Sequence, residues 1–150
     1  MLEESPLSGG VGENSLTRDR AARHYAAIVE SSDDAILSKD VNGVITTWNR
    51  GAQRLFGYTA EEVVGRPVTI IIPTDRHDEE PKILERVRRG ERIEHYETVR
   101  QRKDGSLVDI SITVSPIQGE NGEIVGASKI ARDITQLKRA RERQELCLGR

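Results

Sequence analysis

Apolar positions change their spacing along this chain, and each change marks an element. From Ser15 to Ser31, "SLTRDRAARHYAAIVES", Ala21, Ala22, Tyr25, Ala26, Ile28 and Val29 recur at steps of three and four. That spacing is one face of an α-helix, with Ser15 or Thr17 placed to cap its start. The stretch "DDAILSKDVNGVITTWN" then holds two short runs rich in Ile, Val, Leu and Thr around Asn42-Gly43, and Asn-Gly supplies the positive backbone angles of a tight hairpin. Helical signals return in "NRGAQRLFGYTAEEVVGR", where Asn49 is placed to cap one short helix and Thr59 with Glu62 to form a capping box on a second that ends at Gly65. After "PVTIIIP", Ile83, Leu84 and Val87 give "TDRHDEEPKILERVRRG" a single apolar stripe, which Gly90 closes. Three further strands follow, "IEHYETVRQ", "SLVDISITVSPI" and "EIVGASKIA", joined at Asp104-Gly105 and Asn121-Gly122. Alternation sets Val108, Ile110, Ile112 and Val114 on one face.

The predicted order is helix, two strands, several short helices, three strands, helix. Five antiparallel strands present an apolar face that needs cover, and the helical insert is the segment able to supply it. The pattern predicts an α+β domain: a five-stranded antiparallel sheet under a helical clasp, with flanking helices at both ends. Residues 1–14 combine Gly, Ser, Pro and Glu with scattered single apolar residues and read as a disordered tail. An amphipathic helix is expected over 15–31, the core over 32–133 and a charged connector helix over 134–150.

The strand "VGASKIA" passes through Asp133 into "ITQLKRARERQELCLGR". Asp133 stands where strand becomes helix, so its carboxylate is placed to accept from amides two or three residues on, with Gln136 placed to return a bond. Beyond it, Ile134, Leu137, Arg141, Gln144 and Leu148 form a seam whose polar middle is weak as a coiled coil. Such a helix is expected to be solvated or paired with another chain. On the first helix, the small residues of the stripe allow close approach of a second helix, and a parallel homodimer through Ala22, Tyr25, Ala26, Ile28 and Val29 is expected.

Composition narrows the function classes. With 23 Lys and Arg against 25 Asp and Glu among 150 residues, the net charge is -2, and no basic excess points to nucleic acid or an anionic membrane. The single cysteine, Cys147, permits neither an intrachain disulfide nor a multi-cysteine zinc site, so a reducing, cytoplasmic setting is expected. The longest apolar run is "VTIII", and "MLEESPLSGGVGEN" lacks the basic start and apolar stretch of a signal peptide.

The ordered signals "IVESSDDAILSKDVNGVITTWNRGAQRLFGYTAEEVVGR", "RQRKDGSLVDI" and "GEIVGASKIARDIT" resemble the PAS sensor domains of bacterial signalling proteins over about residues 25 to 138. The resemblance implies a PAS fold and a dimerising sensor module placed upstream of a histidine kinase or another output domain, covalently attached or cognate. Asp133, Ile134, Thr135, Gln136 and Leu137 then become the path of signal transmission. The resemblance also sets tests for cofactors. Relatives that form a cysteinyl-flavin adduct carry Cys after the Gly-Arg-Asn run, whereas here Val68 stands at that place, and a hydrocarbon cannot add to the ring. Relatives that hold haem use a histidine on the helix after the "IIP"-like turn; alignment on Pro73 places Glu79 or Glu80 there, with His77 about one turn earlier in a charged first helical turn. His24 reads as an exposed helical residue and His95 as a sheet-surface one, so no metal site is expected. The acids read as lying mostly on charged helix faces, and no phosphate cradle or phosphoacceptor box is present; the segment is expected not to be an enzyme.

Trp48, Phe56, Tyr58, Ile72, Ile83, Val87, Tyr96 and Ile112 are the large residues expected between helices and sheet. They serve equally as ordinary core or as the lining of a ligand cavity, and no polar residue among them selects a ligand. Two function classes follow: a regulatory input domain, and a receptor holding haem, flavin or a metabolite in its clasp.

Overall fold

The structure, a computed structural model, describes residues 19–148, with side chains through Leu146. The expected tail 1–14 lies outside the described residues. The chain divides into two units, Met1–Ser31 and Ser32–Arg150. In the first, residues 19–31 form helix α1. Tyr25 and Ile28 on its stripe are exposed, Ala22 and Ala26 likewise, and Val29 is partly covered.

The second unit runs β1 (Ala35–Asp40), β2 (Ile45–Trp48), α2 (Arg50–Phe56), α3 (Ala60–Val63), two 3-10 turns (Val68–Ile71 and Thr74–Arg76), α4 (Glu79–Arg88), β3 (Ile93–Gln101), β4 (Leu107–Gln118), β5 (Ile124–Asp133) and α5 (Thr135–Leu148). The five strands form one sheet in the order β2-β1-β5-β4-β3, with every neighbouring pair antiparallel. This is the predicted α+β architecture, with one consequence that local patterns do not carry. The last strand is the central one, so β5 lies beside β1.

Local chemistry accounts for the joints. Asn49 is buried where β2 becomes α2: its Oδ1 accepts from Ala52 N at 2.8 Å and Ile36 N at 2.9 Å, and its Nδ2 donates to Asp34 O at 3.0 Å. One side chain thus caps the helix and ties it to β1. Glu62 Oε1 accepts from Thr59 N at 2.8 Å, the returning half of the expected capping box. At the first turn, Gly43 takes φ 82°, a region costly for other residues, while Asp40 Oδ1 accepts from Asn42 N and Val44 N. Gly126 is required by proximity: a Cβ there would lie 2.3 Å from Lys39 O on the paired strand.

The inner face of the sheet carries the core. Val108, Ile110, Ile112 and Val114 are buried on β4, as alternation predicts, and share one buried cluster with Ile83 and Val87 of α4. Each such side chain contributes about 1.5–3 kcal/mol on burial. Trp48 and Phe56 pack with ring centroids 5.4 Å apart, and Trp48 Nε1 donates to Tyr58 O at 2.9 Å. In β3 the alternation breaks between Ile93 and Tyr96, where His95 takes φ 50°. This bulge puts Glu94 and His95 both on the outside and turns Tyr96 inward.

Candidate functional site

The inner face is not purely apolar. Inward positions of β1 are Ala35, Leu37 and Lys39, and inward positions of β5 are Ala127, Lys129 and Ala131. Because β1 and β5 are neighbours, with Leu37 opposite Lys129 and Lys39 opposite Ala127, the two lysines share one patch of the sheet. On β3 the same parity buries Thr98 and Arg100. On α4, Glu80 stands one turn before Ile83 and Leu84 on the buried stripe. Glu80 accepts from Lys39 Nζ through both oxygens, at 2.8 Å to Oε2, and its Oε1 lies 3.5 Å from Lys129 Nζ. The side chains of Lys39, Lys129 and Glu80 are 0%, 3% and 6% exposed.

Beside this group, Glu79 gathers a second set. It accepts from Thr98 Oγ1 at 2.8 Å, Arg100 Nη1 at 3.0 Å and Arg76 Nη1 at 3.0 Å. Burial alone would raise the Glu79 carboxyl, but the bonds from Thr98, Arg76 and Arg100 outweigh it and hold the group below the usual carboxylate range. Lys129 moves the other way. Desolvation first, then the charge of Lys39, pushes its ammonium well below the ordinary lysine value, and Glu80 only partly opposes them. Arg100 Nη2 is buried with no acceptor.

This cluster corrects one expectation. Glu79 and Glu80 do not lie on a charged, solvated face, and the inner face carries buried polar groups beside the eight large residues named from the sequence. The signal was in the sequence: strand parity marks Lys39, Lys129 and Arg100 as inward, and the four-residue step from Glu80 to Leu84 marks Glu80. The sequence reading applied those rules to apolar residues alone.

The predicted cavity residues are brought together. Trp48, Phe56, Ile72, Ile83, Val87 and Ile112 belong to one buried cluster, with Tyr58 and Tyr96 partly buried against it. Val68 is buried in the same cluster. His77 lies in the turn before α4 rather than in its first helical turn, and its Nε2 is 2.9 Å from Ile72 O. Among the described residues no group of three His, Cys, Asp or Glu is arranged to hold a metal ion, and no helix is long and apolar enough to cross a membrane. The side chain of Cys147 lies outside the described residues.

At the other end of the unit, Asp133 closes β5. Its Oδ1 accepts from Thr135 N at 2.9 Å and Thr135 Oγ1 at 2.6 Å. Thr135 N is the amide two residues on that the sequence reading expected, and the bond from its hydroxyl is an addition, because α5 begins at Thr135 and places that group next to the carboxylate. Arg102 reaches the same point. Its Nε donates to Leu55 O of α2 at 3.0 Å, its Nη1 to Ser106 Oγ at 3.2 Å, and its Nη2 lies 3.9 Å from Asp133 Oδ2. Ile134 is buried, and its amide donates to Asp109 O at 3.0 Å.

Helix α5 runs along the outer face of its own sheet and is solvated, every described side chain from Gln136 to Leu146 being exposed. Lys138 Nζ pairs with Asp109 at 3.0 Å and Arg141 Nη1 with Glu97 at 3.0 Å. Ile134, Leu137 and Arg141 of the predicted seam line a groove of about 320 Å³ with Ile130 and His95. Leu137 stays half exposed, and Gln136 faces outward.

The helical clasp, the central β5 and the exit through Asp133 define the class. The PAS fold model matches residues 23–134, and the chain belongs to the PAS family. It is 40% identical over 119 residues to two-component system protein A of Emericella nidulans, covering 77% of this chain and 17% of that protein. It is 28% identical to the signal transduction histidine-protein kinase AtoS of Escherichia coli, covering 77% of this chain and 19% of that one. The PAS domain of a protein from Colwellia psychrerythraea superposes with a TM-score of 0.71 at 32% identity, covering 77% of this chain and 98% of that one. The chain spans less than a fifth of the two signalling relatives.

Proposed function

We propose that this chain is a sensory input domain that dimerises and passes a conformational bias through α5 to an output domain such as a histidine kinase, attached in a longer protein or cognate to it. The observation that supports this reading is the junction at Asp133. Arg102 contacts the end of α2, the β3–β4 turn and Asp133 together, so a displacement of the clasp reaches the start of α5 through one side chain. The α5 ion pairs are solvent-exposed and weak, and an element held so lightly changes its position at small cost. A parallel pairing of two chains through Ala22, Tyr25, Ala26, Ile28 and Val29 would give two such helices a common axis. Catalysis belongs, on this reading, to the output domain.

The test is a fusion of this chain to a histidine-kinase output, assayed for autophosphorylation with Asp133 intact or replaced. Asp133→Ala is expected to cost about 0.5–2 kcal/mol of stability, the usual worth of a helix-start carboxylate, and to disconnect kinase activity from the state of the clasp. Unchanged regulation at matched folding overturns the reading. Light scattering after size exclusion tests the dimer, and a monomer mass at micromolar concentration removes it.

The buried charges favour a second reading, a receptor whose ligand sits in the clasp among Trp48, Phe56, Tyr58, Ile72, Ile83, Val87, Tyr96 and Ile112. Mass spectrometry of the denatured extract and the visible spectrum of the native protein test it: a stoichiometric small molecule supports the reading, and a visible chromophore would mean haem or flavin.

A further inference from the structure

We propose that the buried cations of the inner face, Lys39, Lys129 and Arg100, form a recognition site for the carboxylate of a small organic acid, occupied in this conformation by the chain's own Glu79 and Glu80. The inference rests on the receptor reading above and names the class of its ligand.

Three observations carry it. The first is charge. Lys39, Lys129 and Arg100 are buried and face two carboxylates, Glu79 and Glu80. The three basic groups outnumber the two acids, so Lys129 has no anion of its own and keeps its proton only at a cost, while Arg76 at the rim is solvated and stays outside this balance. Burying an unbalanced cation is costly, and a monoanion is the ligand that removes the imbalance without reversing it. The second is hydrogen bonding. Arg100 Nη2 is a buried donor without an acceptor, and Lys129 shares Glu80 Oε1 with Lys39 instead of holding an oxygen of its own. A carboxylate supplies acceptor oxygens for such donors, and bonds between two charged partners are the strong ones. The third is the chemistry already present. Both internal anions are carboxylates carried on the first turn of one helix, α4, so a competing carboxylate displaces groups of its own kind and frees α4 from the sheet. The apolar wall beside them, Ile83, Val87 and Ile112, suits a short aliphatic acid better than a phosphate, whose second charge the site does not balance.

Proton linkage follows from the same arrangement. The groups facing Lys129 are Lys39 from β1, Glu80 from α4 and Arg100 from β3, so its proton is held weakly until a further negative charge arrives. Carboxylate binding therefore draws in protons, and affinity rises as pH falls from the alkaline side.

The experiment uses the full chain and sodium acetate as probe, with sodium chloride at equal ionic strength as reference. Acetate is expected to raise the melting temperature by about 3 °C beyond chloride, and calorimetry in buffers of different ionisation enthalpy is expected to show proton uptake on binding. Glu80→Gln removes the internal competitor while keeping size and hydrogen bonding, and is expected to tighten acetate about tenfold or more; Arg100→Gln is expected to abolish the acetate effect. Equal action of acetate and chloride on the native chain, or a Glu80→Gln protein that folds and gains no acetate response, overturns the proposal. The native chain alone decides the first of these, whatever the variants do. Failure here leaves the Asp133 coupling experiment unaffected, and failure of that coupling leaves acetate binding measurable, so the two readings fall separately.

Discussion

The two faces of this sheet use the same chemical pairs in opposite settings. On the inner face, Lys39 meets Glu80 with almost no solvent contact; on the outer face, Lys138 meets Asp109 with 46% and 32% of the side chains exposed. Attraction between exposed charges is screened by water and offset by side-chain entropy, and is worth about 0–1 kcal/mol. Inside, desolvation has already been incurred, so losing one partner strands a charge that nothing else solvates. The comparison teaches that the clasp is fastened by interactions expensive to break singly, whereas α5 is tethered by interactions that are cheap to exchange.

The largest test removes one partner inside. Glu80→Ala is expected to cost about 3–5 kcal/mol, read as a fall in the urea midpoint at unchanged slope; a loss below about 1 kcal/mol would mean the inner face behaves like the outer one. Asn49→Ala follows, because it leaves the partly buried Ile36 amide and the buried Ala52 amide without their acceptor. About 1–3 kcal/mol is expected, with the difference confined to the β1–α2 joint in hydrogen exchange.

A third test sharpens the comparison through pH. The folded-state pKa of Lys129 is depressed, so above neutral pH the unfolded chain holds this proton more tightly than the folded one. Stability relative to Lys129→Met should therefore be fullest above the ordinary lysine value of 10.5 and decline as pH falls toward the depressed value. A flat difference between native and variant proteins over pH 7 to 11 would show that the buried site keeps its proton as readily as an exposed lysine does. The smallest effect belongs outside. Arg141→Ala, which removes the Glu97 pair, is expected to change stability by no more than about 1 kcal/mol while increasing amide exchange along α5.

Much of the fold was readable locally. The caps at Asn49 and Thr59, the Asn-Gly and Asp-Gly turns, and the apolar alternation of β4 each involve residues only a few positions apart, and their geometry depends on little else. The buried charges were half readable. Parity puts Lys39 and Lys129 on the inward face once their strands are accepted, and helix spacing does the same for Glu80, but parity names a face without naming a neighbour. Asp133 was read as the strand-to-helix junction, and its carboxylate does accept from the amide two residues on; the added bond from the Thr135 hydroxyl depends on which residue starts the helix.

What the sequence determined by itself was the set of elements, their order and the faces they present, since periodicity and turn chemistry act within a few residues of backbone. Only the tertiary structure decided that β5 runs between β1 and β4, that Lys39, Lys129 and Glu80 therefore meet, and that α5 lies back on the outer face. Those outcomes join residues far apart in the chain. They follow from which arrangement buries the most apolar surface while leaving the fewest charges unpaired, a balance struck over the whole domain that no short window of sequence contains.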